Sequence, residues 1–295
     1  MALLPPSFLD CVVAIGFPSD DGDTRWSATG FLYGHFVSAI DASRNFYRSF
    51  LVTNRHVLAN EPAIVLRFNP EASEPAREYR VDLLQDDGTP VWVGHDDPQI
   101  DIAVLPVSDD TLREAGIKLQ IFGDRGDALF RDRAVEVGLA EGDGVFVLGF
   151  PMGLVGGSRS FVIVRQGILA RVRDWLAGAS KEILVDASIF PGNSGGPVVL
   201  KPDMASIVGT APIMRAHLLG VVSGFLPWTD VAVSGQTGRP RVTFEENSGL
   251  ASVVPVDFVR EVVDAYVQGH PQEPPPVGEV SEAAPSDVPD PTPTP

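Results

Sequence analysis

Between about residue 8 and residue 255 the chain is a succession of short β-type runs separated by clusters of Gly, Pro, Asp and Asn: CVVAIGF, GFLYGHFV, FLVTNRHVL, AIVLRF, DIAVLPV, GVFVLGF, FVIVRQGILARV, EILVDASI, LLGVVSGF and LASVVPV. Runs this short, closed by turn-forming residues, favour an antiparallel barrel or sandwich over βαβ units. A helical period appears only near the end. There Val256, Phe258, Val259, Val262, Val263, Tyr266 and Val267 recur at spacings of three and four, with Asp257 in a position to cap. The polar, weakly periodic stretch from 109 to 133 separates two groups of runs and reads as the connection between two barrels. After Gly269 the sequence turns rich in Pro and acids without Lys or Arg, a composition that cannot bury enough apolar surface to order itself.

A length of 295 residues with 44% hydrophobic side chains suffices for a real core. The formal net charge of -17 argues against a duplex nucleic-acid binder or a protein of anionic membranes, since both would repel such a surface. Cys11 is the only cysteine, so no intramolecular disulfide forms and a reducing compartment fits. The N-terminal MALLPPSFLDCVVAIGF lacks a basic region and is interrupted by Pro5, Pro6 and Asp10, which makes a poor signal peptide. No run approaches the roughly 18 to 20 apolar residues of a spanning helix. These features together predict a soluble, cytoplasmic protein.

The chemistry is concentrated in PGNSGGPVV, residues 191 to 199. Its glycines permit a turn that presents Ser194 outward while the N–H groups of Gly192 and Ser194 converge, a donor pair worth roughly 3 to 4 kcal/mol each toward a developing oxyanion. A serine needs an adjacent base. LVTNRHVLA supplies His56, a side-chain type suited to take up and return a proton, and DIAVLPV supplies Asp101 to hold its tautomer. Taken singly, each has an ordinary reading: GNSGG as a glycine-rich loop, His56 as a satisfied, partly buried histidine, Asp101 as a cap. Their value lies in the constellation. His35, His95, His217 and His270 show no metal-ligand spacing and read as structural or surface residues. The acidic Asp20, Asp21 and Asp23 do not match a calcium loop, and Cys11 reads as inert core. Neither a metal nor an organic cofactor is expected.

With these runs in order, TGF at 29 to 31, TNRHV at 53 to 57, DIAVL at 101 to 105, GFPMG at 149 to 153, QGILARV at 166 to 172 and DASIFPGNSGGPV at 186 to 198, the sequence resembles the trypsin-like serine proteases, and more closely their bacterial HtrA-type branch. The resemblance spans about residues 10 to 265. It implies an all-β fold of two six-stranded antiparallel barrels with a short C-terminal helix: the first barrel at about 8 to 110, the second at about 130 to 255, the helix at about 256 to 268. His56 and Asp101 would come from the first barrel and Ser194 from the second, with the oxyanion hole on the backbone of Gly192 and Ser194. The strand LLGVVSG would pair with substrate, placing Ser223 beside the triad. The pocket floor would fall on Ser188 rather than on an acid, and Val222 would stand where glutamyl endopeptidases carry a histidine. Cleavage after small or medium apolar residues follows. Departures from the family are the absence of a zymogen activation sequence, the absence of a PDZ domain after about residue 268, and two segments, 201 to 217 and 226 to 248, that look longer than a tight hairpin requires.

The expectation is therefore a protease domain over 1 to 269 and a disordered tail over 270 to 295, acting on polypeptides without cofactor, restrained until a regulatory protein partner activates it. A rival reading from another class is a pseudoprotease that captures extended peptides uncut, against which the intact triad counts. A third is an adaptor role for the Pro-rich tail.

Overall fold

The computed structural model describes residues 3–19, 22–41, 44–204 and 212–271. The expected disordered tail, apart from its first two residues, lies outside them, as do Asp20 and Asp21. The first half of the chain contributes α1 (Pro6–Asp10), β1 (Val12–Pro18), β2 (Thr24–Ala39), β3 (Asn45–Thr53), α2 (Arg55–Leu58), β4 (Ala63–Phe68), β5 (Arg77–Asp82), β6 (Val93–Gly94) and β7 (Ala103–Pro106). The connection carries α3 (Asp109–Glu114), β8 (Phe122–Gly123) and α4 (Arg131–Val137). The second half contributes β9 (Gly144–Gly149), β10 (Ile163–Arg171), α5 (Arg173–Leu176), β11 (Ile183–Asp186), β12 (Pro197–Leu200), β13 (His217–Val233), β14 (Pro240–Pro255) and α6 (Val256–Gly269).

The second half closes into a six-stranded barrel in the order β10-β11-β14-β13-β12-β9. Its strands turn alternate residues inward, so Val145, Val147, Leu169, Val185, Val198, Leu219, Val222 and Val253 fill one core. The first half departs from the barrel expected over about 8 to 110. It is an open eight-stranded sheet, β5-β4-β1-β2-β3-β7-β6, with β8 added in parallel to β2. The physical reason is at its ends. β6 has only two residues, too short for a continuous ladder, and in the segment between β5 and β6 the chain pairs with itself through a Leu84–Pro90 bridge, a Val91 N–H donated to the Leu83 carbonyl and a Gln85 N–H donated to the Thr89 carbonyl, while β5 and β6 share no ladder. Pro90 has no N–H to extend the pairing. A cavity of about 430 Å³ lined by Leu66, Phe68, Tyr79, Val91, Leu105 and Leu112 lies in this half of the molecule.

A third core joins the two halves: Phe31, Phe50, Ile102 and Val104 from the sheet meet Phe146, Leu148, Val199 and Val221 from the barrel. The predicted helix forms as α6 and buries Val256, Val259, Val262 and Val263 in this same layer, which is what their 3.6-residue period dictates. It ties the end of the barrel back to the sheet through an edge-to-face Phe50–Tyr266 pair at 5.6 Å and the His95–Glu261 contact at 3.0 Å. Asp257 does not cap α6. It accepts the Arg131 N–H at 3.2 Å and so caps the start of α4. Of the two segments expected to be long, 226 to 248 is not a loop: it is the outer half of β13 and β14. In the other, residues 205–211 lie outside the described residues.

Candidate functional site

The turn after β11 carries the serine. Gly192 has φ +100° and Gly195 φ +82°, both in the left-handed region that favours glycine. A Cβ on Gly195 would stand 2.1 Å from the Thr29 carbonyl and 2.1 Å from the Thr53 hydroxyl, so the turn is seated directly against β2 and β3. Gly195→Ala is expected to cost about 1 to 3 kcal/mol through strain and overpacking. A thermal melt that matches the parent would refute this tight seating. Asn193 is buried and closes the turn with its N–H donated to the Phe190 carbonyl at 3.0 Å and its Oδ1 accepting the Phe190 N–H at 3.1 Å.

The orientation of one peptide plane follows from a single bond. The Met152 N–H donates to the Pro191 carbonyl at 2.6 Å. Because a trans peptide points its C=O and the next N–H in opposite directions, the Gly192 N–H faces away from Met152. Among the described residues no acceptor takes the N–H of Gly192 or of Ser194. Two donors thus remain open beside the Ser194 hydroxyl. Among the described residues that hydroxyl makes a single, long 3.4 Å contact, to the Ser223 carbonyl.

His56 sits in the single turn of α2 directly after β3, and its ring is half exposed. Asp101 lies just before β7, the neighbour of β3, so the β3–β7 register sets the two residues side by side. Asp101 Oδ1 accepts the His56 backbone N–H at 3.0 Å, and Oδ2 faces the His56 Nδ1 at 2.6 Å. Buried Asn54 braces the pair by donating to the Asp101 carbonyl at 2.8 Å. Burial pushes the Asp101 carboxyl up, yet hydrogen bonds from the His56 ring and backbone, the His56 charge and the Ser223 hydroxyl outweigh it and leave the group below its ordinary range.

Ser223 donates its hydroxyl to Asp101 Oδ2 at 2.8 Å while its carbonyl faces Ser194. An unbroken chain of contacts therefore runs from Ser194 through Ser223 and Asp101 to His56. Val222, one residue earlier, points the other way: it is fully buried in the barrel core and offers no side chain to a substrate. Its backbone matters instead, accepting the Gly195 N–H and donating to the Gly196 carbonyl, both at 2.9 Å. Strand alternation separates the two neighbours. Ser188 is exposed, flanked by buried Ala187 and Ile189, rather than sunk at the bottom of a pocket. Cys11 is fully buried, its thiol donates to the Ser7 carbonyl at 3.3 Å, and burial pushes its pKa up, which makes it a poor nucleophile.

One residue of this site went without a role in the sequence. Thr29 is fully buried in β2, and its hydroxyl donates to the Gly192 carbonyl at 2.6 Å and accepts the Phe150 N–H at 3.0 Å. Its N–H donates to the Ser194 carbonyl at 2.9 Å, and its own carbonyl accepts the Thr53 hydroxyl at 2.9 Å. Thr29 thereby joins the sheet, the serine turn and the loop after β9 at one point. The TGF run contains it, but a partner 163 residues away leaves no local pattern.

Among curated proteins none matches the chain. The family model of the trypsin-like peptidase domain matches residues 28–209, more than half of the chain and a span that includes His56, Asp101 and Ser194. By that match and by the barrel, the paired histidine and aspartate and the glycine-flanked serine turn, the chain belongs to the trypsin-like peptidase domain family.

Proposed function

We propose that the chain is a serine endopeptidase that cleaves polypeptides through an acyl-enzyme, with Ser194 as nucleophile, His56 as general base and acid, and Asp101 as the group that orients and stabilises the imidazolium. The observation that carries this reading is the coexistence of a 2.6 Å His56–Asp101 contact with two unclaimed N–H donors at Gly192 and Ser194. In the first step the Ser194 Oγ forms a bond to the substrate carbonyl carbon as His56 takes its proton. The carbonyl oxygen becomes an oxyanion received by the two N–H groups. His56 then returns the proton to the departing amine as the C–N bond breaks, and water repeats the sequence to release the acid. A pure peptide-capturing scaffold would have no use for open oxyanion donors beside a histidine held by a carboxylate.

Several finer features belong to the same proposal. The order and wording of the motifs favour the HtrA-type branch. The uncharged Ser188 removes the acid that would hold a basic side chain, which favours small or medium apolar residues at the cleavage site. The single cysteine favours a cytoplasmic location, where activity would be held back until a regulatory protein partner switches it on.

The test is labelling of the full chain by a fluorophosphonate at neutral pH, with Ser194→Ala as the blank. Labelling of the parent alone is expected. A folded parent that fails to label would exclude a constitutive protease, and a digest of a peptide library dominated by cleavage after Arg, Lys or Glu would exclude the apolar preference.

A further inference from the structure

The outer parts of β13 and β14, Pro227–Val233 paired with Pro240–Asn247, have no other strand beside them among the described residues, and the Asn247 side chain fastens their base by donating to the Ile189 carbonyl. The barrel partners end earlier: β12 stops opposite Val221 and β11 opposite Leu250. Every residue from Pro227 to Val233 and from Pro240 to Ser248 is exposed. A two-stranded ribbon standing alone in water is marginal and gains stability when a third strand or an apolar surface covers it. Directly paired residues share a face, and faces alternate along a strand. The pairs Trp228–Glu246, Asp230–Phe244 and Ala232–Val242 therefore lie on one face. That face holds Trp228 at 66% exposure with Phe244 and Val242 at 50% each, an amount of bare aromatic surface that a soluble ribbon has no structural reason to display. Its two charged residues are both carboxylates, Asp230 and Glu246, and none of its six residues is a cation.

Two observations say what covers it. The ribbon is the continuation of the strand that carries Ser223, whose carbonyl touches the Ser194 hydroxyl and whose own hydroxyl touches Asp101. Beyond Val222, whose N–H and carbonyl are taken by Gly196 and Gly195, the edge of β13 that faced β12 pairs with no strand among the described residues. A substrate strand laid antiparallel along that edge runs toward Ser194 in its own N-to-C direction, so the residues before its scissile bond lie over the ribbon. Pro227 and the irregular pairing between Phe225 and Pro227 interrupt regular strand addition there, which leaves side chains to make the contacts. The second observation is charge: a second copy seated on the same face would set Asp230 and Glu246 against their own counterparts, in a chain of net charge -17.

We propose that the Trp228–Phe244 face is an accessory substrate site that takes the segment upstream of the cleavage point and selects apolar and basic side chains there. The proposal rests on the protease reading of Ser194. Trp228 stands five residues beyond Ser223 on β13, about 17 Å of strand, so the selected segment begins about five residues before the scissile bond. The face lies outside the residues matched by the family model.

The experiment compares fluorogenic peptides sharing one cleavage sequence: a short one ending about four residues upstream, a long one with a Leu, Lys and Arg segment beyond that, and a long one with Asp in place of the cations. They are given to the full-length parent, to Trp228→Ser/Phe244→Ser and to Asp230→Lys/Glu246→Lys. The parent is expected to favour the long basic peptide over the short one roughly tenfold or more in kcat/KM, carried by KM, with both double variants losing that preference. Fluorophosphonate labelling and turnover of the short peptide stay at the parent's level in both. Equal loss on short and long peptides, no preference in a parent that labels and cuts the short peptide, or a dimer that the Trp228→Ser/Phe244→Ser variant dissolves would each overturn the proposal. A parent that neither labels nor cuts would instead overturn the reading on which it rests.

Discussion

Asp101→Asn is expected to lower kcat by about four orders of magnitude with KM little changed, the size such a substitution has in other enzymes of this triad type. The reason is in the number of donors around one carboxylate. Asp101 receives the His56 ring, the His56 backbone N–H and the Ser223 hydroxyl, three donors on two oxygens. An amide has one acceptor oxygen. Whichever way it turns, its NH₂ faces a group that also donates, and when its oxygen keeps the His56 backbone N–H the ring loses the acceptor that fixes its tautomer. A steady-state assay with folding checked by circular dichroism decides it: a loss below tenfold would show that Asp101 does not orient His56. The same variant carries a pH signature. The folded Asp101 pKa lies below its ordinary value, so its contribution to stability is fully present above the unfolded pKa and is lost as pH falls through the folded one. The stability difference between parent and Asp101→Asn should therefore shrink in acid, and melts across that range that stay parallel would contradict the sign.

The second large effect is expected at Thr29, which touches no substrate and acts as a positioning residue. Thr29→Val keeps the shape and removes the hydroxyl, leaving the Gly192 carbonyl and the Phe150 N–H without their partner inside a closed core. Each orphaned group costs about 1 to 3 kcal/mol. The Gly192 carbonyl is then free to rotate, and with it the turn whose N–H groups would receive the oxyanion. Loss of one such donor elsewhere lowers kcat by roughly a hundredfold or more, and a fall of that order is expected here, in kcat rather than KM. Thr29→Ser, which restores the hydroxyl, should recover most of it. A variant that is less stable but turns over at the parent's rate would reduce Thr29 to a fold residue.

Much of this molecule is legible locally. The alternating and continuous apolar runs become strands because each needs only its neighbour's backbone and one covered face, and the three-four spacing of valines from Val256 to Val263 becomes a helix with those valines inward. The GNSGG turn is equally local, since Gly192 and Gly195 adopt positive φ that other residues resist. The segment 226 to 248 misleads for a physical reason: it lies outside the barrel with both faces exposed, so no buried face imposes a period of two on its side chains. Val222 misleads for the opposite reason, because a strand position adjacent to Ser223 is on the other face and its side chain belongs to the core.

The sequence by itself determined most of the strands, the C-terminal helix and which groups are candidates for the chemistry, because backbone preferences and side-chain chemistry act over a few residues. Only the tertiary structure decided that the first sheet stays open, that Asp257 caps a helix other than its own, and that Thr29 fastens the serine turn. Each of these depends on which distant groups meet across a buried layer. There a polar atom must find a partner wherever the packed chain supplies one, 121 and 163 residues away in the case of Thr29.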